Sequence, residues 1–164
     1  MRTLALVLAA AVASPAAAQS VAGAFAQGRT HVMVTAGSGA AFDESYLVLG
    51  LGASYYLIDG LSVGLFLESW TGGDPGLVKY TGSLQYVFHK GAAKPYLGTF
   101  YRRTDIEDRA DLDSVGARAG IYFAVSQSAY LGFGGVYEKY LDCNKTTYRS
   151  CDGTYGEVTV TFAF

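Results

Sequence analysis

The sequence of 164 residues has few charged residues and no excess of positive charge. Lys and Arg number 12 against 14 Asp and Glu, which excludes a protein that binds nucleic acid by neutralising phosphates. Only 16% of the residues are charged and 51% are hydrophobic, so a disordered chain is excluded as well. The length suits about one domain. The 21 Gly, 13 Tyr and 9 Phe favour strands and tight bends over helices.

The first residues have the pattern of a secretory signal peptide. Met1 and Arg2 form a short basic region, residues 4–12 form an apolar run, and Ala16 to Ala18 are small residues of the kind that signal peptidase requires. The apolar run is too short to cross roughly 30 Å of hydrocarbon as a helix. We therefore predict cleavage after Ala18, with residues 1–18 as the signal and residues 19–164 as the mature domain.

Cysteine is scarce, since Cys143 and Cys151 are the only two. Both lie in one polar segment, and we expect them to form a disulfide in the oxidising compartment that an exported chain reaches. A metal site is the alternative, but neither His31 nor His89 is near them in sequence, and structural zinc usually has four ligands. We predict no metal and no cofactor.

The hydrophobic pattern after the signal has a period of two, not 3.6. Apolar residues alternate with small or polar ones over residues 47–57, 115–125 and 155–164, as they do in half-buried strands. In the fifth strand the pattern leaves open whether Tyr96 and Phe100 or Leu97 and Tyr101 form the apolar face. Weaker alternation elsewhere completes eight predicted strands, over residues 29–37, 47–57, 61–70, 77–88, 96–103, 115–125, 129–141 and 155–164.

The predicted connections alternate between short and long. Short turns follow the second, fourth and sixth strands, and longer polar loops cover residues 38–45, 71–76, 104–111 and 142–153. This alternation is typical of an antiparallel, up-and-down, eight-stranded transmembrane β-barrel. The long loops are acidic, which fits either a solvated hydrophilic cap or a surface that attracts divalent cations or basic partners. Their acids are Asp43, Glu44, Asp74, Asp105, Glu107, Asp108, Asp111, Asp142 and Asp152, against the bases Arg109, Lys145 and Arg149.

Alternation alone fits either a membrane barrel or a soluble one. A soluble exterior needs many Lys and Glu residues, yet the non-apolar face here consists mainly of Gly, Ser, Thr and Tyr, which suit a narrow lumen. The membrane barrel is therefore favoured. The soluble, lipocalin-like alternative would bind an apolar ligand in a cavity lined by Leu47, Leu49, Leu51, Ile121 and Phe123.

A few charges fall on the face assigned to the lumen: Glu68, Lys79, Arg118, Glu138 and Glu157. Counting back from the loops places Glu68 opposite Lys79, Glu138 nearly opposite Glu157, and Arg118 diagonal to Glu138. We predict an internal ionic network, because each buried charge needs a partner to offset its desolvation. The alternative is a catalytic pair of carboxylates, Glu138 and Glu157, in which repulsion makes one of them an acid.

The last strand carries the most specific local pattern. Gly156, Val158, Val160, Phe162 and Phe164 occupy every second position up to the final residue. This pattern resembles the C-terminal signature of bacterial outer-membrane proteins, and the whole chain resembles the small eight-stranded outer-membrane barrels of the OmpA-barrel and OmpX type. The resemblance implies an outer-membrane location in a Gram-negative envelope, contact with lipid and lipopolysaccharide, and recognition by the barrel-assembly machinery. It does not define an activity, since such barrels serve as scaffolds, adhesins, narrow channels or lipid-modifying enzymes.

A catalytic site is not evident. Enzymes of this barrel class need a His close to a Ser, and no Ser alternates with His31 on its strand, while His89 falls in a short turn. A calcium loop starting at Asp111 fails because its fifth position is Val115 and its twelfth is Tyr122. We therefore predict a non-enzymatic envelope protein with no identified surface partner. A membrane-embedded lipid-modifying enzyme is the alternative.

Two adjacent arginines are expected at the loop side of the fifth strand. A guanidinium of Arg102 or Arg103 could meet lipopolysaccharide phosphates there, because guanidinium groups bind phosphate in a bidentate manner. Ordinary anchoring at the membrane interface is the alternative for both residues.

Overall fold

The computed structural model of the chain describes residues 23–41, 44–141, 143 and 151–164. Eight antiparallel strands form one closed barrel in sequence order, with the last strand paired to the first. This confirms the predicted all-β, up-and-down architecture. The predicted signal peptide lies outside the described residues. The strands are β1 (Thr30–Ala41), β2 (Glu44–Ile58), β3 (Leu61–Thr71), β4 (Leu77–Val87), β5 (Ala93–Ile106), β6 (Leu112–Ala124), β7 (Ala129–Tyr140) and β8 (Asp152–Ala163).

The two ends of the barrel differ in their connections. Residues 59–60, 88–92 and 125–128 connect strands at one end, which we call the turn end. The start of β1 and the end of β8 lie there too, where the Phe164 backbone N–H donates to the Thr30 carbonyl oxygen at 2.9 Å. The other end, which we call the loop end, has the connections 42–43, 72–76, 107–111 and 141–151. The predicted difference in length is wrong for two of the loops, since the connections 72–76 and 107–111 have five residues each, as does the connection 88–92 at the turn end.

The expected loop over residues 38–45 is wrong. β1 continues to Ala41 and β2 begins at Glu44, with pairing that extends to Ala41↔Glu44. Gly, Ala and Ser have weak intrinsic strand preference, so the sequence in this stretch resembles a loop. Pairing with a neighbouring strand outweighs that local preference, because strand propensity depends strongly on context.

The exterior of the barrel is apolar. In β5 the outward residues are Leu97 and Tyr101, whereas Tyr96 and Phe100 are buried inside, which settles the facing that the sequence left open. Such an exterior is stable only when an apolar phase covers it, as lipid does around membrane barrels. Among the described residues, no helix has the length and hydropathy to cross a membrane. Exposed outward residues include Leu49, Leu51, Leu65, Leu67, Leu84, Leu97, Phe123, Phe133, Val158 and Phe162.

Aromatic rings and glycines fit together inside the barrel. The ring of Phe100 on β5 covers Gly116 on β6, where a Cβ would overlap the ring and lie 2.5 Å from the Tyr137 carbonyl oxygen. Tyr96 covers Gly120 in the same manner, with a Cβ–Cζ separation of only 2.6 Å. A Gly on one strand therefore makes room for the ring of a neighbour, which lets large side chains fill a narrow lumen.

The joint between the first and last strands is the shortest. Over the described residues, the register of β1 with β8 runs from His31↔Ala163 to Val34↔Val160, and backbone hydrogen bonds between Thr30 and Phe164 extend it by one pair. By contrast, β1 pairs with β2 over its whole length, from Thr30↔Tyr55 to Ala41↔Glu44. We refer to the β1–β8 joint as the seam.

We expect Gly116→Ala to destabilise the barrel by about 1–3 kcal/mol, because the added methyl overpacks the lumen against Phe100. Urea unfolding in detergent micelles measures the change. Gly135→Ala is the matched control, since a Cβ there meets nothing within 4 Å. Equal effects of the two substitutions would contradict the ring-on-glycine packing.

Candidate functional site

The lumen contains a buried cluster of charged side chains centred on Arg102. Its Nη1 lies 2.9 Å from Glu138 Oε2, and its Nη2 lies 3.3 Å from Glu68 Oε2. The Arg102 Nε–H donates to Thr81 Oγ1 at 2.9 Å, and its Nη1 donates to Tyr155 Oη at 2.7 Å. One guanidinium thus joins strands β3, β4, β7 and β8 across the barrel.

Hydroxyl groups complete the coordination of Glu138. The Ser114 hydroxyl donates to Glu138 Oε1 at 2.5 Å, and the Tyr155 hydroxyl lies 3.0 Å from Glu138 Oε2. Glu138 is 1% exposed. A carboxylate removed from water in this way is stabilised only when both of its oxygens have donors, as they do here.

A second ion pair lies nearer the turn end. Arg118 Nη1 is 3.5 Å from Glu157 Oε2, and the Tyr96 hydroxyl donates to Glu157 Oε1 at 3.0 Å. The Phe100 ring lies between the two arginines, with its centroid 4.8 Å from Arg102 Cζ and 5.1 Å from Arg118 Cζ. This cation–π stacking connects the two ion-pair groups and separates their positive charges.

Lys79 occupies the loop side of the cluster. The register places it directly opposite Glu68, as the sequence predicted. The Glu68 carboxylate, however, forms its ion pair with Arg102, and the Lys79 ammonium lies 3.6 Å from the centre of the Trp70 ring. The network thus balances three basic groups, Lys79, Arg102 and Arg118, against the three glutamates 68, 138 and 157.

The predicted neighbours Glu138 and Glu157 are not opposite each other. Glu138 pairs with Gly153, and Glu157 pairs with Gly134, so the register differs by four residues from the expected one. Each carboxylate has its own arginine, and the hypothesis of a catalytic carboxylate pair is wrong. The alternation could not reveal this, because a shift by an even number of residues leaves every side chain on the same face.

The sequence did not reveal the role of Arg102. The sequence pattern treats Arg102 and Arg103 alike, as lipopolysaccharide contacts or interfacial anchors, but neighbouring residues of a strand point to opposite faces. Arg102 is 4% exposed inside the lumen, and Arg103, at 51%, lies outside beside Asp111 at 2.5 Å. Deciding which residues of β5 face the lumen would have identified Arg102.

The other predicted residues lie at the loop end or on the exterior of the barrel. Cys143 and Cys151 are joined by a disulfide at the loop end. The outward residues of β8, namely Val158, Val160 and Phe162, are exposed on the apolar exterior, as are Gly156 and Phe164. Leu47, Leu49 and Leu51 also point outward and line no internal cavity. The soluble barrel with an apolar ligand inside is therefore wrong.

Both histidines lie at the turn end, His31 on β1 and His89 in the turn 88–92. His31 is buried inside the turn end, where its Nε2 lies 2.8 Å from the Ala24 carbonyl oxygen. The register places Ser54 opposite His31, a neighbour on the next strand that a search along one strand misses. His31 nevertheless packs among Phe25, Tyr56 and Tyr130, away from the lipid-facing surface where lipid substrates lie. Among the described residues, no group of three or more His, Cys, Asp or Glu is placed to hold a metal.

An apolar layer covers the network at the loop end. Tyr46, Leu77, Ile106 and Leu112 are buried together, with Trp70 and Tyr140 packed against them. The Tyr46 hydroxyl donates to the Pro75 carbonyl oxygen at 2.9 Å, which fixes the ring beneath the loop 72–76. We refer to this layer as the lid. Its hydrophobic side chains keep water from the ion pairs beneath.

A shallow groove of about 340 Å³ lies at the edge of the lid. Trp70, Leu77 and Ile106 contribute apolar surface to it, and Asp105 and Glu107 contribute carboxylates. The side chains of Asp105 and Glu107 are exposed or half-exposed to solvent. The groove combines a hydrophobic floor with negative charge.

The comparison with known proteins confirms the fold that the sequence resemblance implied. The N-terminal β-barrel domain of Pseudomonas aeruginosa OprF superimposes with a TM-score of 0.65 at 13% identity, covering 84% of this chain and 98% of that one. Neisserial surface protein A superimposes with a TM-score of 0.53 at 17% identity, covering 82% of this chain and 94% of that one. Outer membrane protein OprG from P. aeruginosa superimposes with a TM-score of 0.55 at 14% identity, covering 85% of this chain and 97% of that one. The fold is that of the small eight-stranded outer-membrane barrels.

No protein-family model matches the sequence, and no curated protein matches it either.

We expect Arg102→Met to destabilise the barrel by about 3–5 kcal/mol, because it leaves Glu68 and Glu138 buried without their cation. Arg103→Met is the control, since it removes the adjacent guanidinium from the solvent-exposed side and should change stability little. Urea unfolding of both variants in the same micelles measures the difference. If both substitutions cost the same, Arg102 does not hold the network together.

Proposed function

We propose that the protein is an integral outer-membrane barrel with a non-catalytic role, acting as a scaffold that presents an acidic surface at its loop end. The observation that carries this proposal is the distribution of side chains. The exterior is apolar, the lumen is filled by a charge-balanced network, and the loop end carries carboxylates next to an apolar groove. The likeness to outer-membrane barrels supports the location. The loop end would face the cell exterior, and residues 1–18 would be the cleaved signal.

The outer surface of the barrel would contact membrane lipid and lipopolysaccharide. Arg103 lies on this surface beside Asp105, Asp111 and Asp113, at separations of 3.8, 2.5 and 3.7 Å. These carboxylates already compensate the guanidinium. We infer that divalent cations, rather than Arg103 alone, link this group of side chains to lipopolysaccharide phosphates, since the group has three carboxylates and one guanidinium.

The loop-end groove indicates the chemistry of a surface partner. Asp105 and Glu107 would bind an ammonium or guanidinium group, while the apolar part formed by Trp70, Leu77 and Ile106 would pack against its alkyl chain. A basic peptide segment has both features. We propose that a partner binds here through a Lys or Arg side chain.

The outward residues of β8 would guide assembly. Val158, Val160, Phe162 and Phe164 form a continuous apolar row on the exterior of the last strand. We propose that the barrel-assembly machinery recognises this row before β8 joins β1.

Cell fractionation tests the location. We expect the protein to sediment with the outer membrane, to require detergent for extraction, and to migrate differently on a denaturing gel before and after heating. The reason is that a closed hydrogen-bonded barrel resists the detergent until it is heated. A protein that stays soluble without detergent, with one mobility, would overturn the proposal.

The same gel tests the assembly row. Phe164→Ser should reduce the fraction with the folded mobility in the outer membrane. Val125→Ser is the control, because it removes an exposed apolar residue next to a turn and leaves β8 intact. Equal folded fractions for the two variants would exclude a special role of the row.

Binding of a decalysine peptide to the purified protein in zwitterionic micelles tests the acidic groove. We expect Asp105→Asn/Glu107→Gln to weaken binding several-fold at low salt, and added salt to weaken it further. Gln127→Lys/Ser128→Lys changes the net charge equally at the turn end and serves as control. Equal weakening by the two double variants would show that only net charge matters and that the groove is not the site.

A further inference from the structure

The chain enters the barrel through a short segment that folds back into the turn end. Residues 23–29 precede β1, and Phe25 in this segment is 1% exposed. The Gly60 backbone N–H donates to the Phe25 carbonyl oxygen at 2.8 Å, and the Gln27 N–H donates to Asp59 Oδ1 at 2.8 Å. The segment is thus fixed to the turn between β2 and β3.

The Phe25 ring lies in an aromatic pocket built from opposite walls of the barrel. Its centroid is 5.1 Å from the ring of His31 on β1 and 5.8 Å from Tyr56 on β2. On the far wall it is 6.1 Å from Tyr122 on β6 and 4.8 Å from Tyr130 on β7. A single side chain therefore crosses the mouth of the lumen.

A cation completes the pocket. Lys94 Nζ lies 5.6 Å from the centroid of the Phe25 ring, within the range of a cation–π contact. The ammonium is held by the carbonyl oxygens of His89 at 2.8 Å and Gly91 at 3.1 Å. The turn 88–92 thereby contributes to the closure from a third side of the barrel.

The attachments of the segment are unequal on the two walls. Its hydrogen bonds go to β1, β2 and the turn after β2: the Gly28 N–H donates to the Tyr56 carbonyl oxygen at 2.9 Å, and His31 Nε2 lies 2.8 Å from the Ala24 carbonyl oxygen. Phe25 meets β6 and β7 through ring contacts. Gly28, between the segment and β1, has a φ of 82°, a conformation that Gly adopts without the strain that a side chain brings. The segment has the form of a strap whose left-handed glycine lies next to β1.

We propose that residues 23–29 are a plug that closes the lumen at the turn end, and that Phe25 in its aromatic pocket holds the plug in place. Withdrawal of Phe25 by rotation about Gly28 exposes the pocket and the lumen behind it to the compartment on that side. The proposal rests on the fold and goes beyond the scaffold role, because it gives the barrel one end that can open while the lid keeps the other closed.

Reaction of a buried thiol tests the plug. Both native cysteines are in the disulfide, so Thr161→Cys introduces the one free thiol of the chain. Thr161 faces the lumen, is 1% exposed, and pairs with Met33 and Tyr130 near the pocket. The full chain carrying this substitution is reconstituted in micelles and treated with a charged maleimide. We expect Phe25→Ala to increase the labelling rate at least ten-fold.

Three controls make the result decisive. Gln27→Ala should leave the rate unchanged, because the bond to Asp59 uses the Gln27 backbone. Gln127→Cys, an exposed residue of a turn, should react equally fast with and without Phe25→Ala. Heat-dependent mobility verifies that each variant is folded.

Two outcomes would overturn the proposal. One is a folded Phe25→Ala protein in which the thiol introduced by Thr161→Cys stays as protected as before. The other is an equally large increase in labelling with Gln27→Ala. Should Phe25→Ala fail to fold, Asp59→Ala removes the hydrogen bond to Gln27 and leaves the aromatic pocket intact. That variant should raise the labelling rate several-fold, and an unchanged rate would again contradict the plug.

Discussion

The narrow lumen of an eight-stranded barrel is the constraint on which the rest of this structure depends. The interior is only wide enough for side chains, so each inward residue must fit its neighbours in size and satisfy their charges. Gly116 and Gly120 make room for the rings of Phe100 and Tyr96, and those rings in turn lie against Arg118 and Glu157. The same rings therefore meet both requirements. They fill the space that the glycines leave, and they also contact the charged groups.

Because side chains fill the middle of the lumen, the remaining distinctive features of the barrel lie at its two ends. At the loop end, the lid separates the ion pairs from the exposed carboxylates of Asp105 and Glu107. At the turn end, the Phe25 pocket collects side chains from β1, β2, β6 and β7. In the central network Arg102 alone bonds to four strands, whereas the closure of the turn end depends on one short segment, residues 23–29.

The sequence predicts the properties that depend on strand periodicity and misses those that depend on register and contact. The alternation was sufficient to predict the eight strands, the apolar exterior and the inward position of Glu68 and Lys79. It failed for Glu138 and Glu157, because a register shift of four residues preserves both faces. It failed for Arg102, since β5 has large residues on both faces. Phe25 is part of no repeating pattern, so only the folded structure shows what it contacts.

The seam gives the barrel a mechanical weak point. Lateral tension in a membrane acts around the whole circumference, and every joint between neighbouring strands carries the same load. The seam resists with the four residue pairs from His31↔Ala163 to Val34↔Val160 and the hydrogen bonds between Thr30 and Phe164, while the β1–β2 joint has twelve pairs. Under stretching the barrel should therefore part between its first and last strands, and the unpaired backbone would then face lipid at high cost. A bilayer that thins or stretches thus acts first on β1 and β8.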